Sequence, residues 1–213
     1  MINIFNSLLV MILALNLLAL GSRSILSVIR IIALQGILLG ILPLVLNEGL
    51  SIPQLIASLT AISIKGVVIP MVMIHAMKNI RIKREVEPTI GFVPSSILGA
   101  VITGSVFLLT NQITAGNGNY VNMIIPAAIT TILVGFILLV TRYKAISQVM
   151  GYLVLENGIY IFSLLLIEAI PLIVEMGMLL DLFVSIFIIT IITNHINNAF
   201  SSLDTRRLTT LKE

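Results

Sequence analysis

The segment GYLVLENGIY, residues 151–160, places a carboxylate, Glu156, inside a run that otherwise has the composition of a membrane-spanning helix. A charge at the bilayer centre costs roughly 2.5 to 3.5 kcal/mol even on the mildest insertion scales. We therefore expect Glu156 to face other helices, water or a partner protein instead of lipid. The segment predicts an all-α fold, a polytopic membrane helical bundle with a charge in its interior.

The composition of the whole chain agrees with a membrane protein. Of its 213 residues, 58% are hydrophobic and 10% are charged, whereas an ordinary soluble domain has about 25% charged residues. Cysteine is absent, which excludes disulfides, thiolate metal sites and iron–sulfur clusters. The net charge of +3 comes from short basic groups between apolar runs, without the basic stripe of a nucleic-acid-binding protein.

Apolar runs of about 18 residues or more predict membrane spans, and seven such runs can be drawn. Because the runs are continuously apolar and do not alternate, they predict helices and not a β-barrel. The predicted spans cover residues 2–20, 25–46, 53–77, 94–111, 121–140, 145–167 and 171–194.

The lysines and arginines predict the orientation, because cytoplasmic loops are enriched in them. Eleven of the 12 follow spans one, three, five and seven: Arg23, Arg30, Lys78, Arg81, Lys83, Arg84, Arg142, Lys144, Arg206, Arg207 and Lys212. The alternate connections, NEGLS, NQITAGNGNY and IEAI, contain none. This pattern predicts an amino terminus outside and a carboxyl terminus in the cytoplasm.

Lys65, Glu156 and Asp181 are predicted to form one layer near the bilayer midplane. At a rise of about 1.5 Å per residue, Lys65 and Asp181 lie about 18 Å and about 15 Å from the outer ends of their spans, and Glu156 about 16 Å from the cytoplasmic end. The hydrocarbon core is about 30 Å thick. One interpretation is a proton relay. The lysine would lower the proton affinity of the two carboxylates and desolvation would raise it, and such opposing effects can leave groups able to exchange protons near neutral pH. The other interpretation is a buried ion pair between the lysine and one of the two acids that fixes helix packing, with the second acid outside the pair.

Four further residues are candidates, Glu175 for the relay itself and the other three for accessory roles. Glu175 lies about 6 Å inside the outer end of span seven, where it is either an entry or exit group or a solvated charge. Tyr152 and Tyr160 flank Glu156 at four-residue spacing and share its helix face, so they either orient the carboxylate or pack in the core. His75 lies near the cytoplasmic end of span three, where a capping or interfacial role is expected, because two scattered histidines are too few for a metal site.

Two backbone features are predicted in spans two and three. Pro70 has no N–H, so it leaves the carbonyl of Gly66, next to Lys65, without its helical partner. Gly36 and Gly40 form a GxxxG element, which permits close approach of another helix. The sequence therefore predicts a weakened helical turn beside a buried lysine.

Several segments resemble component E of hydrogenase-4, the membrane subunit of formate hydrogenlyase-type complexes. They are GYLVLENGIY at 151–160, PLIVEMGMLLD at 171–181, LDTRRLTTLKE at 203–213 and IKGVVIPMVMIHAMKNI at 64–80. In that family the last three helices are similar to subunit K of respiratory complex I, which carries two membrane-embedded acids. The resemblance implies that Glu156 matches the acid of the middle helix and that Asp181 matches the acid of the last helix. At the latter position subunit K has a glutamate, which is longer than the aspartate of this chain.

The resemblance also implies an organisation and a function. A four-helix membrane part is expected over residues 1–120, a subunit K-like three-helix part over 121–200 and a cytoplasmic tail over 201–213. The expected function is that of a non-catalytic membrane subunit of a group 4 NiFe-hydrogenase-like, complex I-related complex in the inner (cytoplasmic) membrane. It would contribute relay residues, here Lys65, Glu156, Asp181 and Glu175 together, to the coupling of electron transfer with proton or sodium translocation.

The expected partners are antiporter-like and complex I-like membrane subunits and a peripheral hydrogenase-like arm. The NiFe and iron–sulfur centres are expected in that arm, and no cofactor is expected in this chain. Two alternatives stay open. One is a stand-alone small-molecule transporter of three plus one plus three helices, and the other is a scaffold subunit that only anchors its neighbours.

Overall fold

The structure is a computed structural model, and it describes residues 2–46, 52–79, 90–114, 121–142 and 144–165. The elements within these ranges are helices. In chain order they are α1 (Ile2–Gly21), α2 (Ile25–Leu46), α3 (Ile52–Ala61), a π-helical segment (Ile62–Val68), α4 (Ile69–Asn79), α5 (Phe92–Thr114), α6 (Val121–Thr141) and α7 (Ala145–Ser163). The π-helical segment joins α3 directly to α4, so the three together form the third predicted span.

The first five predicted spans are confirmed as helices that are long and apolar enough to cross a membrane. These stretches are Asn3–Gly21, Ile25–Leu46, Ser58–His75, Phe92–Thr110 and Met123–Thr141. The sixth predicted span contains α7, a helix of 19 residues that is not among the five. The seventh predicted span (171–194) and the tail (201–213) lie outside the described residues, so the count of seven and the orientation of the termini stay predictions, as does the division into parts.

Helix α2 is central in the bundle. It packs against α1, α3, the π-helical segment, α4 and α7. Helices α6 and α7 form the most extensive pair, and they are antiparallel, since Gly151 of α7 lies beside Leu139 of α6 and Gly158 beside Ile132. Helix α5 lies at the periphery against α1 and α6, and it exposes most of its apolar side chains.

Two apolar clusters fill the interior, and buried polar residues lie between them. One cluster includes Leu20, Ile29, Met73, Leu138 and Val154. The other includes Phe5, Leu9, Leu39, Ala127 and Ile161. Five buried polar residues lie between the two clusters along their helices, and Lys65 contacts one of them, Glu156. These six residues, called here the polar layer, are Asn16, Gln35, Lys65, Thr131, Glu156 and Asn157.

Candidate functional site: a buried ion pair in the polar layer

The polar layer contains an ion pair between two helices that are far apart in the sequence. Lys65 Nζ lies 3.3 Å from Glu156 Oε1, and the two side chains are 6% and 5% exposed. The ammonium also lies over the ring of Tyr160, 5.0 Å from its centroid. The lysine therefore has a carboxylate and an aromatic face as neighbours, both supplied by α7.

Lys65 is carried by an unusual stretch of backbone. It lies in the π-helical segment Ile62–Val68, and the N–H of Ile69 donates to the carbonyl of Ile64, five residues earlier. Pro70 follows immediately and has no N–H to donate. The weakened turn predicted beside Lys65 is thus present as π-helical backbone, which occurs frequently at functional sites.

A glycine on α2 allows that backbone to come close. A Cβ at Gly36 would stand 2.7 Å from the Cβ of Lys65 and 2.8 Å from its carbonyl carbon. Gly40, one turn further, lies against Ile62 and the carbonyl of Ser58. The close approach predicted from the GxxxG element is therefore confirmed, and the surface it contacts is the helix that carries Lys65.

Glu156 is held from the other side by the tight pairing of α7 with α6. A Cβ at Gly151 would stand 2.6 Å from the backbone nitrogen of Leu139, and one at Gly158 would stand 2.6 Å from that of Ile132. Glu156 lies between these two contacts along α7. Its depth and rotation are therefore fixed by backbone contacts on both sides.

A chain of side-chain hydrogen bonds crosses the bundle beside the ion pair. Asn157 Nδ2 donates to Gln35 Oε1 at 3.3 Å, and Gln35 Nε2 donates to Asn16 Oδ1 at 2.8 Å. Asn16 Nδ2 then donates to Thr131 Oγ1 at 2.8 Å, and the hydroxyl of Thr131 donates to the carbonyl of Ala127. This amide chain ties α7 to α2, α1 and α6 in turn.

The amide chain is buried and satisfied. Asn16, Gln35 and Thr131 are 0% exposed and Asn157 is 3% exposed. Buried polar groups that lack a partner cost about 1 to 3 kcal/mol each, so the chain stabilises one particular arrangement of four helices. It also fixes the turn of α7 that carries Glu156, because Asn157 is the next residue.

The structure brings together some of the residues singled out in the sequence and separates others. Tyr160 lies over Lys65, so its neighbour is the ammonium. Tyr152 is half-buried and packs against the first apolar cluster. His75 is exposed, and the described residues contain no group of three metal-ligating side chains. Asp181 and Glu175 lie outside the described residues.

Sequence analysis did not assign the amide chain to the site. Asn16, Gln35, Thr131 and Asn157 lie on four different spans, and their positions in the sequence do not show that they meet. The available signal was an uncharged polar residue inside an apolar run on each of four spans. Hydrogen bonding between such residues is a common way for membrane helices to associate.

The fold and the polar layer define a polytopic helical membrane protein with a buried lysine–carboxylate pair. The chain is 28% identical over 193 residues to an uncharacterized protein of Mycobacterium tuberculosis, which covers 90% of this chain and 88% of the relative. It is 24% identical over 158 residues to hydrogenase-4 component E of Escherichia coli, which covers 74% of this chain and 73% of the relative. The Shigella flexneri protein of that name gives the same values.

No family model and no solved structure matches the chain. The similarity to hydrogenase-4 component E agrees with the resemblance found in the sequence, at an identity that indicates a distant relationship.

Proposed function

We propose that this chain is a membrane subunit of a hydrogenase-type, complex I-related energy-converting complex, in which the Lys65–Glu156 pair helps to couple electron transfer to ion translocation. The similarity to hydrogenase-4 component E over 74% of the chain supports the type of complex. One observation carries the role of the pair: its two charges lie 3.3 Å apart and are almost fully buried. Ionisable residues inside membranes are rare and are usually functional.

The pair offers a simple charge switch. An ionised Glu156 balances Lys65, whereas a protonated Glu156 leaves the ammonium as a buried positive charge, which is costly. The Tyr160 ring lies 5.0 Å from that ammonium, and a desolvated cation–π contact is worth about 2 kcal/mol. The ring therefore keeps Lys65 in place while Glu156 changes its charge. The positive charge gained by the polar layer then biases the next ionisable site.

The amide chain has a different part in this proposal. Amide side chains are neutral hydrogen-bonding groups that do not titrate near neutral pH. Their role is to hold Asn157, and therefore the adjacent Glu156, at one depth while its charge changes. Proton exchange is thus assigned to the ion pair, and positional stability to the amides.

The remaining parts of the proposal include residues outside the described ranges. Asp181 and Glu175 are proposed as further relay groups in span seven, with His75 and Tyr152 as accessory groups near the path. The moving ion is a proton or a sodium ion. The proposed partners are antiporter-like and complex I-like membrane subunits and a peripheral hydrogenase-like arm that holds the NiFe and iron–sulfur centres, all at the cytoplasmic membrane.

A structural role is the second candidate, and it has its own supporting observation. Glycines place α2 directly against the backbone of Lys65 and α6 directly against α7. In such a packed site, an ion pair could serve only to fix one arrangement of the helices, as in a scaffold subunit. The transporter alternative requires three plus one plus three helices, and the seventh of these lies outside the described residues.

The two candidates are separated by Glu156→Gln, which removes the charge and keeps the shape. In the complexes that assemble, the coupling role predicts fewer ions translocated per electron transferred. A scaffold role predicts poorer assembly but an unchanged ratio in each complex that does assemble. Ile159→Val, which alters an exposed apolar residue of the same helix, is the control and is expected to keep normal assembly and the normal ratio. An unchanged ratio for Glu156→Gln would reject the coupling role.

A further inference from the structure

Two arginines share one aromatic ring at the end of the bundle where α2, α5 and α7 begin. The guanidinium carbon of Arg142 lies 5.2 Å from the centroid of the Phe92 ring, and that of Arg23 lies 5.7 Å from it. Arg23 is exposed, whereas Arg142 is only 3% exposed. The Phe92 ring thus contacts both an exposed cation, Arg23, and a buried one, Arg142.

The inner arginine is only partly satisfied. Arg142 Nη2 donates to the carbonyl of Leu20, at the end of α1, at 2.9 Å. Its Nη1 is buried and has no hydrogen-bond partner among the described residues. Burial lowers the pKa of the Arg142 guanidinium below its ordinary value, but arginine stays charged because that value is so high. A buried charge with a free donor is expected to have an anionic partner.

No described carboxylate can supply that negative charge. Within the described ranges Glu156 is the sole carboxylate. It lies about 16 Å along α7 from the start of that helix, and it is paired with Lys65. Among the described residues, the buried guanidinium of Arg142 therefore has no anionic neighbour.

An apolar ridge begins beside the shared ring. Val93, Ile97 and Val101 of α5 are 65%, 59% and 59% exposed. Their four-residue spacing puts them on one face of the helix, which runs from the two arginines towards the middle of the predicted span. A small inorganic anion would make no favourable contact with this apolar face, whereas the acyl chains of a lipid would pack against it.

We propose that Arg23, Phe92 and Arg142 form a binding site for the phosphate of an anionic phospholipid, whose acyl chains lie along the ridge of Val93, Ile97 and Val101. Arg23 is the outer donor, and Arg142 is the inner donor that the headgroup reaches beside the ring. Charge-assisted hydrogen bonds from guanidinium to phosphate are among the strongest in proteins. The site is independent of the proposed coupling role.

The test measures which lipid the protein retains. The full chain, with the subunits that copurify with it, is placed in nanodiscs of equal phosphatidylglycerol and phosphatidylcholine, and the retained lipid is counted by native mass spectrometry. We expect enrichment of phosphatidylglycerol and an about fivefold loss of that enrichment in Arg23→Gln, as for one basic residue near a membrane surface. Arg142→Gln is expected to lose at least as much. Arg30→Gln removes an exposed charge of α2 away from the ring and is expected to retain the enrichment.

Because Arg23 is exposed, its replacement tests the site without disturbing the fold. Equal retention of the two lipids by the unaltered protein would overturn the proposal, and so would equal losses in Arg23→Gln and Arg30→Gln. A separate arm adds inorganic phosphate to the protein in phosphatidylcholine nanodiscs. If phosphate raises the thermal stability as much as phosphatidylglycerol does, the site takes a small anion and the lipid assignment is wrong.

Discussion

Gly36 of α2 lies directly against the residue that carries the buried ammonium: a Cβ at position 36 would stand 2.7 Å from the Cβ of Lys65. Glycine is required here because a larger residue would push the π-helical segment away from α2. The distance between Lys65 and Glu156 thus depends on a residue that carries no functional group of its own.

We expect Gly36→Ala to destabilise the protein by about 1 to 3 kcal/mol, the usual cost of an overpacked contact. Thermal unfolding of the purified chain in detergent measures this change. Gly104→Ala in α5 is the matched control, because a Cβ there would meet nothing within 4 Å and alanine favours helix over glycine. Equal stability of the two variants would contradict the close contact at Gly36.

Single and double replacements of the ion pair are expected to differ. Lys65→Met or Glu156→Leu alone leaves one buried charge without its partner, which should cost about 3 to 5 kcal/mol. The double variant removes both charges and is expected to be more stable than either single variant. Equilibrium unfolding of all four proteins gives the coupling energy. A coupling energy near zero would show that the two charges do not interact in the membrane.

The Tyr160 ring is expected to stabilise Lys65 through its aromatic face and not through its hydroxyl. Tyr160→Phe keeps the face and should retain stability, whereas Tyr160→Leu removes it and should cost about 1 to 2 kcal/mol. Repeating the comparison in a Lys65→Met background isolates the cation–π contribution, because the difference between the two variants should then shrink. A difference that persists without Lys65 would indicate packing alone.

Gln35 is the centre of the amide chain, since it accepts from Asn157 and donates to Asn16. Gln35→Leu leaves both neighbours with unsatisfied amide groups, for which we expect a loss of about 2 to 4 kcal/mol from two buried hydrogen bonds. Gln148→Leu, which alters an exposed glutamine of α7, is the control. Stability is measured by unfolding in detergent, and a loss no larger than that of the control would argue against the chain.

Helix positions could be predicted because a membrane span leaves a strong signal in its length and composition. The depths of Lys65 and Glu156 followed from counting residues along those spans, and the structure places both in the same layer. The partner of Lys65 could not be assigned to Glu156 or Asp181 in this way, because depth says nothing about the direction in which a side chain points.

Helix rotation was hidden by the uniform hydrophobicity of the spans. In α2, Leu39 is 0% exposed and Leu34 is 37% exposed, yet the two residues are chemically identical. The amide chain depends on four such rotations at once, and the contact of Tyr160 with Lys65 depends on two. Backbone signals were more informative, since Pro70 and the pair Gly36 and Gly40 indicated a weakened turn and a close contact that the structure contains.

Residues that hydrogen-bond to each other in the polar layer are synthesised at very different times. Asn16 and Thr131 are 115 residues apart, and Gln35 and Asn157 are 122 residues apart. At about 5 to 20 residues per second, translation takes about 6 to 24 s to cover such distances. During this interval the nascent helices carry polar groups that need the insertion machinery, water or one another. The polar layer is complete only after α7 has been synthesised. Because chains that end before Glu156 keep an incomplete polar layer, we expect them to be degraded.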